Sequence, residues 1–424
     1  YITLTNKKDV LEFYKNVKKA QPGIVAFSAT SYQFKYVIQI SKRIRNLSDS
    51  FIICGGVHPT LEPDCIFEAP DLNAIVRGEG EFPLLELADA LDKKKENLRI
   101  KNFWFREKGK IIRNRVRPLI TDLDGLPFPD KDSLDYQKKI DECGGINRFI
   151  FSRGCPFECA YCCNKALSEV YPNPQDYFRQ RSPKKAIEEI ERDEKRYRFK
   201  AIIFDDDTIS LSKKWFYEFF TLYRNRFNYP FRCNLRVGTV DSHMMRLLKK
   251  AGAVVIGIGI EHGSEEFRKT VLKRDMTNKQ ITETFRLCKK HKLTHHDFTM
   301  VGFPFETKEL FLETVRLCRS VSAQGPASIF HPYPGTELGI ICKKNNWLPC
   351  KEYFRERSEP VINYPTLAKE EIQLYKDIFP YLVRYKFIPL GIPLKHLYRI
   401  IKHLESFKKA FGLRLRPGKH KVSG

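Results

Sequence analysis

The stretch FSRGCPFECAYCCNK, residues 151–165, sets three thiols at Cys155, Cys159 and Cys162 in a C-x3-C-x2-C spacing. It follows a β-rich run, so the thiols are expected on a loop at a strand exit. Three thiolates on one loop can hold three irons of a 4Fe-4S cube and leave the fourth iron without a protein ligand. An open iron can chelate a substrate. A closed zinc site would need a fourth Cys or His, and structural zinc motifs usually arrive as two separated pairs. Cys163 is the thiol at hand for that role, but adjacent ligands on one strand-exit loop point apart.

Outward from this loop, the pattern from Arg148 onward alternates short β-rich runs with helical segments. Candidate strands are RFIFS (148–152), AIIF (201–204), RCNLR (232–236), VVIGIGI (254–260), DFTMV (297–301) and SIF (328–330). The helices between them carry their own start and stop signals. Ser182 is placed to N-cap a helix with Pro183 behind it, and Asp241 opens another that Gly252 closes. Six strands separated by helices resemble a partial (β/α)6 TIM barrel.

The three-cysteine spacing, with the aromatic Tyr161 before the last cysteine, resembles the signature of the radical S-adenosylmethionine enzymes. The resemblance covers about 148–335. It implies that the open iron binds the amino and carboxylate groups of S-adenosylmethionine, and that one electron from the cluster breaks a carbon–sulfur bond to give a 5'-deoxyadenosyl radical. Active-site residues of α/β barrels gather at the carboxyl ends of the strands. There lie the cysteine loop, Asp205, Asp206 and Asp207, then Asn234 and Arg236, Glu261 in GIEHGS, VGFPFET and HPYPGT with Tyr333. In similar enzymes the GIEHGS element is usually GIESGS, and its Glu approaches the cofactor, a role carried here to Glu261. His262 stands where the family has a small residue, so it is either substrate-facing or a tolerated variant. Three consecutive carboxylates repel one another unless cations, hydrogen bonds or solvent intervene, which points at least one toward a ligand. Capping of the next helix at Asp207 or Ser210 is the plain alternative. Arg236 meets either the cofactor carboxylate or one of these aspartates. Cys155, Cys159, Cys162 and Glu261 are thus the candidate catalytic residues, and Tyr161, Asp206, Arg236 and Glu261 the candidate cofactor-binding residues of this domain.

Before the barrel, residues 7 to about 95 alternate amphipathic helices with GIVAFS (23–28), FIICGG (51–56) and NAIVRG (73–78), the pattern of a parallel α/β unit. The elements FSATS, GGVHPT and VRGEGE resemble those of the cobalamin-binding domain that precedes the radical domain in one large subgroup. The resemblance implies a Rossmann-like fold whose first strand lies before the start of this chain. Ser28, Thr30, Gly55, Gly56 and His58 then line the cofactor face from loops at the carboxyl ends of parallel strands. Gly55 and Gly56 would let backbone approach a flat macrocycle, although glycine also simply makes turns. The DxHxxG element, whose His ligates cobalt in some cobalamin proteins, does not occur in this sequence. The expected division is therefore a cobalamin-binding-like domain over 1–95, a linker over 96–147, the barrel over 148–335 and a helical region over 336–424.

A chain of 424 residues with 42% hydrophobic residues has material for more than one core. No run approaches the roughly 18 apolar residues of a membrane span, and the start lacks the succession of a signal peptide. Twelve cysteines without a secretory signal favour metal or catalytic roles over disulfides, and a cytoplasmic location. The formal charge of +24 would suit an anionic partner, but the basic residues are spread along most of the chain, as on a solvated surface. The amphipathic basic tail, 392–421, is expected to pack on its own domain in preference to a membrane.

The leading reading is a radical enzyme with a 4Fe-4S cluster, S-adenosylmethionine and cobalamin, methylating or rearranging an unactivated carbon of a small-molecule or lipid substrate. It would draw on a low-potential donor such as flavodoxin or ferredoxin, with no obligatory nucleic acid. An RNA- or protein-modifying methylthiotransferase is the alternative enzyme, but its cysteine-bearing N-terminal domain and small C-terminal barrel have no counterpart in this pattern. An iron-sulfur or zinc protein that binds nucleic acid would leave the strand-end motifs unexplained.

Overall fold

In the computed structural model the described residues are 7–95, 99–348 and 359–410. The basic tail beyond 410 and residues 1–6 of the expected N-terminal domain lie outside them. The described residues fall into two compact units. One runs to Asp207 and includes Pro332–Ile341; the other takes Thr208–His331, 342–348 and 359–410.

The first unit opens with a five-stranded sheet: β1 (Ile24–Ser28), β2 (Phe51–Gly55), β3 (Ala74–Val76), β4 (Phe103–Glu107) and β5 (Lys110–Arg113), in that spatial order. β1, β2 and β3 are parallel, with Ile24 opposite Phe51 and Ile53 opposite Ala74. β4 and β5 run antiparallel, with Ile75 of β3 opposite Trp104. Because side chains alternate along a strand, each strand feeds two cores. Val25, Ile52, Cys54, Ile75 and Trp104 join the helix Ser31–Arg45 on one side. Ile53, Ala74, Val76, Phe103 and Phe105 join Leu87 and Ala90 of the helix Glu81–Asp92 on the other. A sheet covered on both faces explains why its central strands read as continuous apolar runs. The hairpin β4–β5 lies within the stretch expected to be linker, 96–147, but it is an integral antiparallel edge of this sheet. It docks there because Phe103 and Phe105 complete the second core.

Further along come β6 (Ile146–Phe149), the short antiparallel pair β7 (Ser152–Arg153) and β8 (Arg179–Gln180), then β9 (Ala201–Phe204), β10 (Phe231–Leu235), β11 (Ala253–Glu261), β12 (Thr294–Val301) and β13 (Ala327–Ile329). The second large sheet has six strands in the order β13-β12-β11-β10-β9-β6. The pairs β6–β9, β10–β11, β11–β12 and β12–β13 are all parallel. This is the half-barrel expected from the alternation of strands and helices. Both expected caps are present: Ser182 accepts the Lys185 N–H at 3.2 Å, and Asp241 accepts the Met244 N–H at 2.9 Å.

After the barrel strands come the short helix Glu337–Lys344 and then the helices Lys369–Arg384 and Leu394–Ala410. The last two pack on one another, with the Tyr398 hydroxyl 3.4 Å from the Asp377 carboxylate, so the described part of the basic tail covers its own unit. No helix among the described residues is long and apolar enough to cross a membrane.

Candidate functional site

In the first unit, Cys155, Cys159 and Cys162 all lie on the loop between β7 and the helix Cys163–Ser168. Gly154 makes the turn into that loop at φ +80°, and a Cβ there would stand 2.4 Å from the Tyr177 carbonyl oxygen. Only glycine fits both the conformation and the space. None of the three is in a disulfide; Cys159 is buried and the other two are half-buried. Burial pushes the Cys155 thiol up to about 11. The side-chain hydrogen bond with Cys163 makes Cys162 the more acidic of that adjacent pair. The Asn164 amide links Cys162 to the acidic run, reaching the Cys162 sulfur at 3.7 Å and the Asp207 carboxylate at 2.9 Å.

Three thiols on one loop are a donor set that would fit a cluster with one iron left open. In a cube each thiolate takes a different iron, so the three sulfurs stand further apart than the ligands of one metal ion. Among the described residues no three His, Cys, Asp or Glu gather closely enough to hold a single ion. Cys163 opens the helix, and its thiol is engaged with Cys162.

The three aspartates after β9 have separate tasks. Asp205 takes a two-pronged hydrogen bond from Arg148, both contacts at 2.7 Å. Asp206 is fully buried; it accepts the Phe151 N–H at 3.1 Å and the Ser152 hydroxyl, and so holds the strand exit that leads to Cys155. Burial pushes its carboxyl up to about 6 against the pull of those hydrogen bonds. Asp207 is raised by burial and held by Asn164. The sequence pattern suggests Asp206 as a cofactor-binding residue; its contacts are those of a brace under the loop, and Asp207 is the carboxylate that faces the cysteines. Tyr161 is half-exposed on the same loop. Tyr333 lies in a turn where the Thr336 hydroxyl donates to its carbonyl at 2.7 Å.

The strand-end loops of the first sheet belong to the same unit. Ser28 is exposed at the carboxyl end of β1, and Thr30 precedes the helix Ser31–Arg45, its N–H donating to Gln33 at 2.9 Å. Gly56 has φ +95°, and a Cβ there would meet the Ala29 backbone nitrogen at 2.7 Å. The glycine at 56 is thus required by the chain's own packing, whereas a Cβ at Gly55 would make only ordinary contacts, 3.5 Å from Val76. His58, expected on a loop lining a cofactor face, lies instead in the helix Val57–Leu61. It is buried, with Nδ1 3.1 Å from the Ser31 hydroxyl and its ring 4.5 Å from that of Phe34. Burial lowers it to about 4, so it is neutral at physiological pH.

The third strand-end loop carries what the sequence pattern does not reveal. Glu79 accepts from Arg153 at 2.7 Å, from Arg179 at 2.9 Å and from the Ile120 N–H at 2.8 Å. Arg153 also reaches Glu81 at 2.5 Å. The signal available in the sequence is an Arg two residues before the first cysteine and a Glu-Gly-Glu in a glycine-rich turn, with nothing to pair them.

In the second unit, Glu261 ends β11 at φ +64°, where the register with β12 shifts between Gly259 and Glu261. A non-glycine residue in this region at a bulge is strained, a condition that clusters at functional sites. Its carboxylate stands 3.7 Å from Arg274, which also donates to the Gly259 carbonyl at 3.0 Å. A Cβ at Gly259 would lie 2.4 Å from the Glu261 carboxylate, so that glycine makes the room. Arg236 is buried just past β10. His262 is fully buried, accepts the Ser264 N–H at 3.1 Å, packs at a tilt on Phe267 with ring centroids 4.4 Å apart and stands 3.5 Å from Glu306. Glu306 in turn takes the N–H groups of Gly302 and Phe303 at 2.5 and 3.1 Å. These contacts set aside the substrate-facing reading of His262 and make VGFPFET a turn capped by its own glutamate.

A half-barrel of parallel strands with a three-cysteine loop at the exit of its first strand defines a class. Residues 149–318 match a family model described as the Radical SAM superfamily, so this stretch of the chain is a radical SAM domain. That superfamily uses a 4Fe-4S cluster and S-adenosylmethionine. The chain is similar to an uncharacterized methyltransferase, PH0819, of Pyrococcus horikoshii, with 29% identity over 363 residues, 84% of this chain and 78% of the relative. It is also similar to the anaerobic magnesium-protoporphyrin IX monomethyl ester cyclase of Rubrivivax gelatinosus, with 28% identity over 79% of this chain. It spans 61% of the cyclase's length. Its fold resembles that of TsrM from Kitasatospora setae, a radical S-adenosylmethionine methyltransferase solved with cobalamin and a [4Fe-4S] cluster bound. The TM-score is 0.64 at 17% identity, over 80% of this chain and 67% of that one.

Proposed function

We propose that this chain is a cobalamin-dependent radical SAM enzyme that methylates or rearranges an unactivated carbon of a small-molecule or lipid substrate in the cytoplasm. One observation carries the reading furthest: an α/β sheet with glycine-rich strand-end loops and the cysteine loop share one compact unit, joined by Glu79 and Arg153. Relatives named as methyltransferases and as an anaerobic cyclase support the two outcomes about equally.

Cys155, Cys159 and Cys162 would hold the cluster, Glu261 and Arg236 would meet S-adenosylmethionine, and the loops bearing Ser28, Thr30, Gly55 and Gly56 would face the corrinoid. Bound there, the cluster supplies the electron for cleavage of S-adenosylmethionine and the corrinoid supplies a carrier for the transferred methyl group. The chain's own residues position and shield. Asp206 braces the strand exit beneath the first thiol, Asn164 and Asp207 flank the last, and the Glu261–Arg274 pair fixes the carboxylate at the end of β11. His58 is assigned no bond to cobalt, since it is buried against Phe34 and hydrogen-bonded to Ser31.

The test is anaerobic reconstitution followed by incubation with S-adenosylmethionine and a low-potential reductant of the flavodoxin or dithionite class. Release of 5'-deoxyadenosine is expected, along with a spectral change on titration with hydroxocobalamin. A reconstituted wild-type protein that leaves the hydroxocobalamin spectrum unchanged would remove the cobalamin assignment and leave the radical chemistry standing. Retention of a full cluster by Cys159→Ala would remove the ligand assignment.

A further inference from the structure

We propose that Glu79 is the positioning residue of the cysteine loop, linking the third strand-end loop of the first sheet to Cys155. The inference rests on the reading of Cys155 as a cluster ligand and goes beyond it by naming what holds that ligand in place.

The geometry converges on one carboxylate. β7 and β8 form a two-residue antiparallel bridge in which Arg153 lies opposite Arg179, and Ser152 opposite Gln180. The arginines of that opposed pair both turn to Oε1 of Glu79, at 2.7 and 2.9 Å. The other oxygen accepts the Ile120 N–H at 2.8 Å, and Arg179 closes the ring by donating to the Ile120 carbonyl at 2.9 Å. Glu81, opening the helix Glu81–Asp92, takes the second arm of Arg153 at 2.5 Å. The carboxylate is 11% exposed and Arg179 8%, so these are charge-assisted bonds largely out of water, the strong kind.

From Arg153 the chain has a single residue, Gly154, before Cys155. That glycine is pinned at φ +80° against the Tyr177 carbonyl, leaving little slack between guanidinium and thiol. A shift of the loop that carries Gly78, Glu79 and Gly80 therefore pulls on Arg153, and Arg153 on Cys155. On the near side, the hydroxyl of Tyr171 would lie 2.7 Å from a Cβ at Gly78, so the loop itself is closely held. A fold that needed only a staple between these segments could place it anywhere along the interface. Here it joins a candidate ligand-facing loop to the residue two before the first cysteine.

The experiment compares wild type, Glu79→Gln, Glu79→Asp and the double variant Glu79→Gln/Arg153→Gln. In the full-length, metal-free chain, iodoacetamide alkylation of each cysteine is followed peptide by peptide. Loss of one charge-assisted hydrogen-bonding partner predicts about tenfold faster alkylation of Cys155 in Glu79→Gln. Cys54 and Cys65 of the first core should stay protected, and Glu79→Asp should recover part of the protection. The double variant should add less than the sum of its parts, since both changes act through one contact. After reconstitution, Glu79→Gln should bind iron near the wild-type level yet give an altered electron paramagnetic resonance spectrum of the reduced cluster with S-adenosylmethionine. Wild-type Cys155 alkylation and a wild-type spectrum in Glu79→Gln would overturn the proposal, as would a uniform rise across all cysteines, which marks general loosening. If wild type itself takes up no cluster, the ligand reading fails, and the alkylation arm still decides whether Glu79 positions Cys155.

Discussion

Replacing Asp206 by Asn separates the charge on this buried side chain from its hydrogen bonds. Asp206 is fully buried, and one of its oxygens accepts both the Phe151 N–H and the Ser152 hydroxyl. Burial raises its carboxyl from the ordinary 3.8 to about 6. The folded chain then binds this proton more tightly than the unfolded chain does. The stabilisation is therefore fully present below pH 3.8 and is lost as pH rises through about 6. At neutral pH the ionised group costs about 3 kcal/mol, since every tenfold difference in proton affinity is worth about 1.4 kcal/mol. An asparagine keeps an oxygen for the same two donors and cannot ionise. Any fixed cost of its extra N–H2 group is the same at every pH. The stability of Asp206→Asn relative to wild type should thus rise by about 2 kcal/mol between about pH 4.5 and 7.5. Urea unfolding of the metal-free chain, followed by tryptophan fluorescence at both pH values, measures this difference directly. A difference independent of pH would refute the reasoning, because it would mean that Asp206 titrates alike in the folded and unfolded states.

Gly154→Ala puts a Cβ 2.4 Å from the Tyr177 carbonyl at a positive φ; it should cost about 3 kcal/mol, read as a lower thermal midpoint together with a clear loss of bound iron. His58, held down to about 4 by burial, lends stability that is present above its unfolded value of 6.5 and lost as pH falls toward 4. His58→Gln should therefore flatten the acid limb of the stability profile by about 2 kcal/mol between about pH 7 and 4.5, measured by the same unfolding assay.

Much of the fold is legible in local chemistry. Runs such as AIIF and VVIGIGI lie in buried parallel strands, and Ser182 and Asp241 announce their helices because capping is decided within three residues. What escapes such a reading is decided by partners far away in the chain. RFIFS reads as one strand, but β6 ends at Phe149, Ile150 is exposed, and Ser152 begins a separate bridge with Gln180. The triplet of aspartates looks like a ligand cluster; Arg148, Ser152 and Asn164 each claim one member, and no spacing rule foretells that division. The cysteine loop is legible because its three ligands are close in sequence. Arg274, which reaches back to Glu261, and Glu79, which reaches forward to Arg153, are invisible for the opposite reason. His58 misleads because a histidine beside two glycines reads as a loop, while Phe34 and Ser31 bury it.

The hairpin of β4 and β5 decides where this chain can be divided. A fragment stopping at residue 95 would strip Phe103 and Phe105, whose rings stack 4.8 Å apart, from the second core. It would also leave the three-residue β3 as a bare rim, an invitation to pair with another copy. Exchange of N-terminal portions among relatives has its workable seam beyond Ile120, after the hairpin is complete and after the backbone partner of Glu79 has been included.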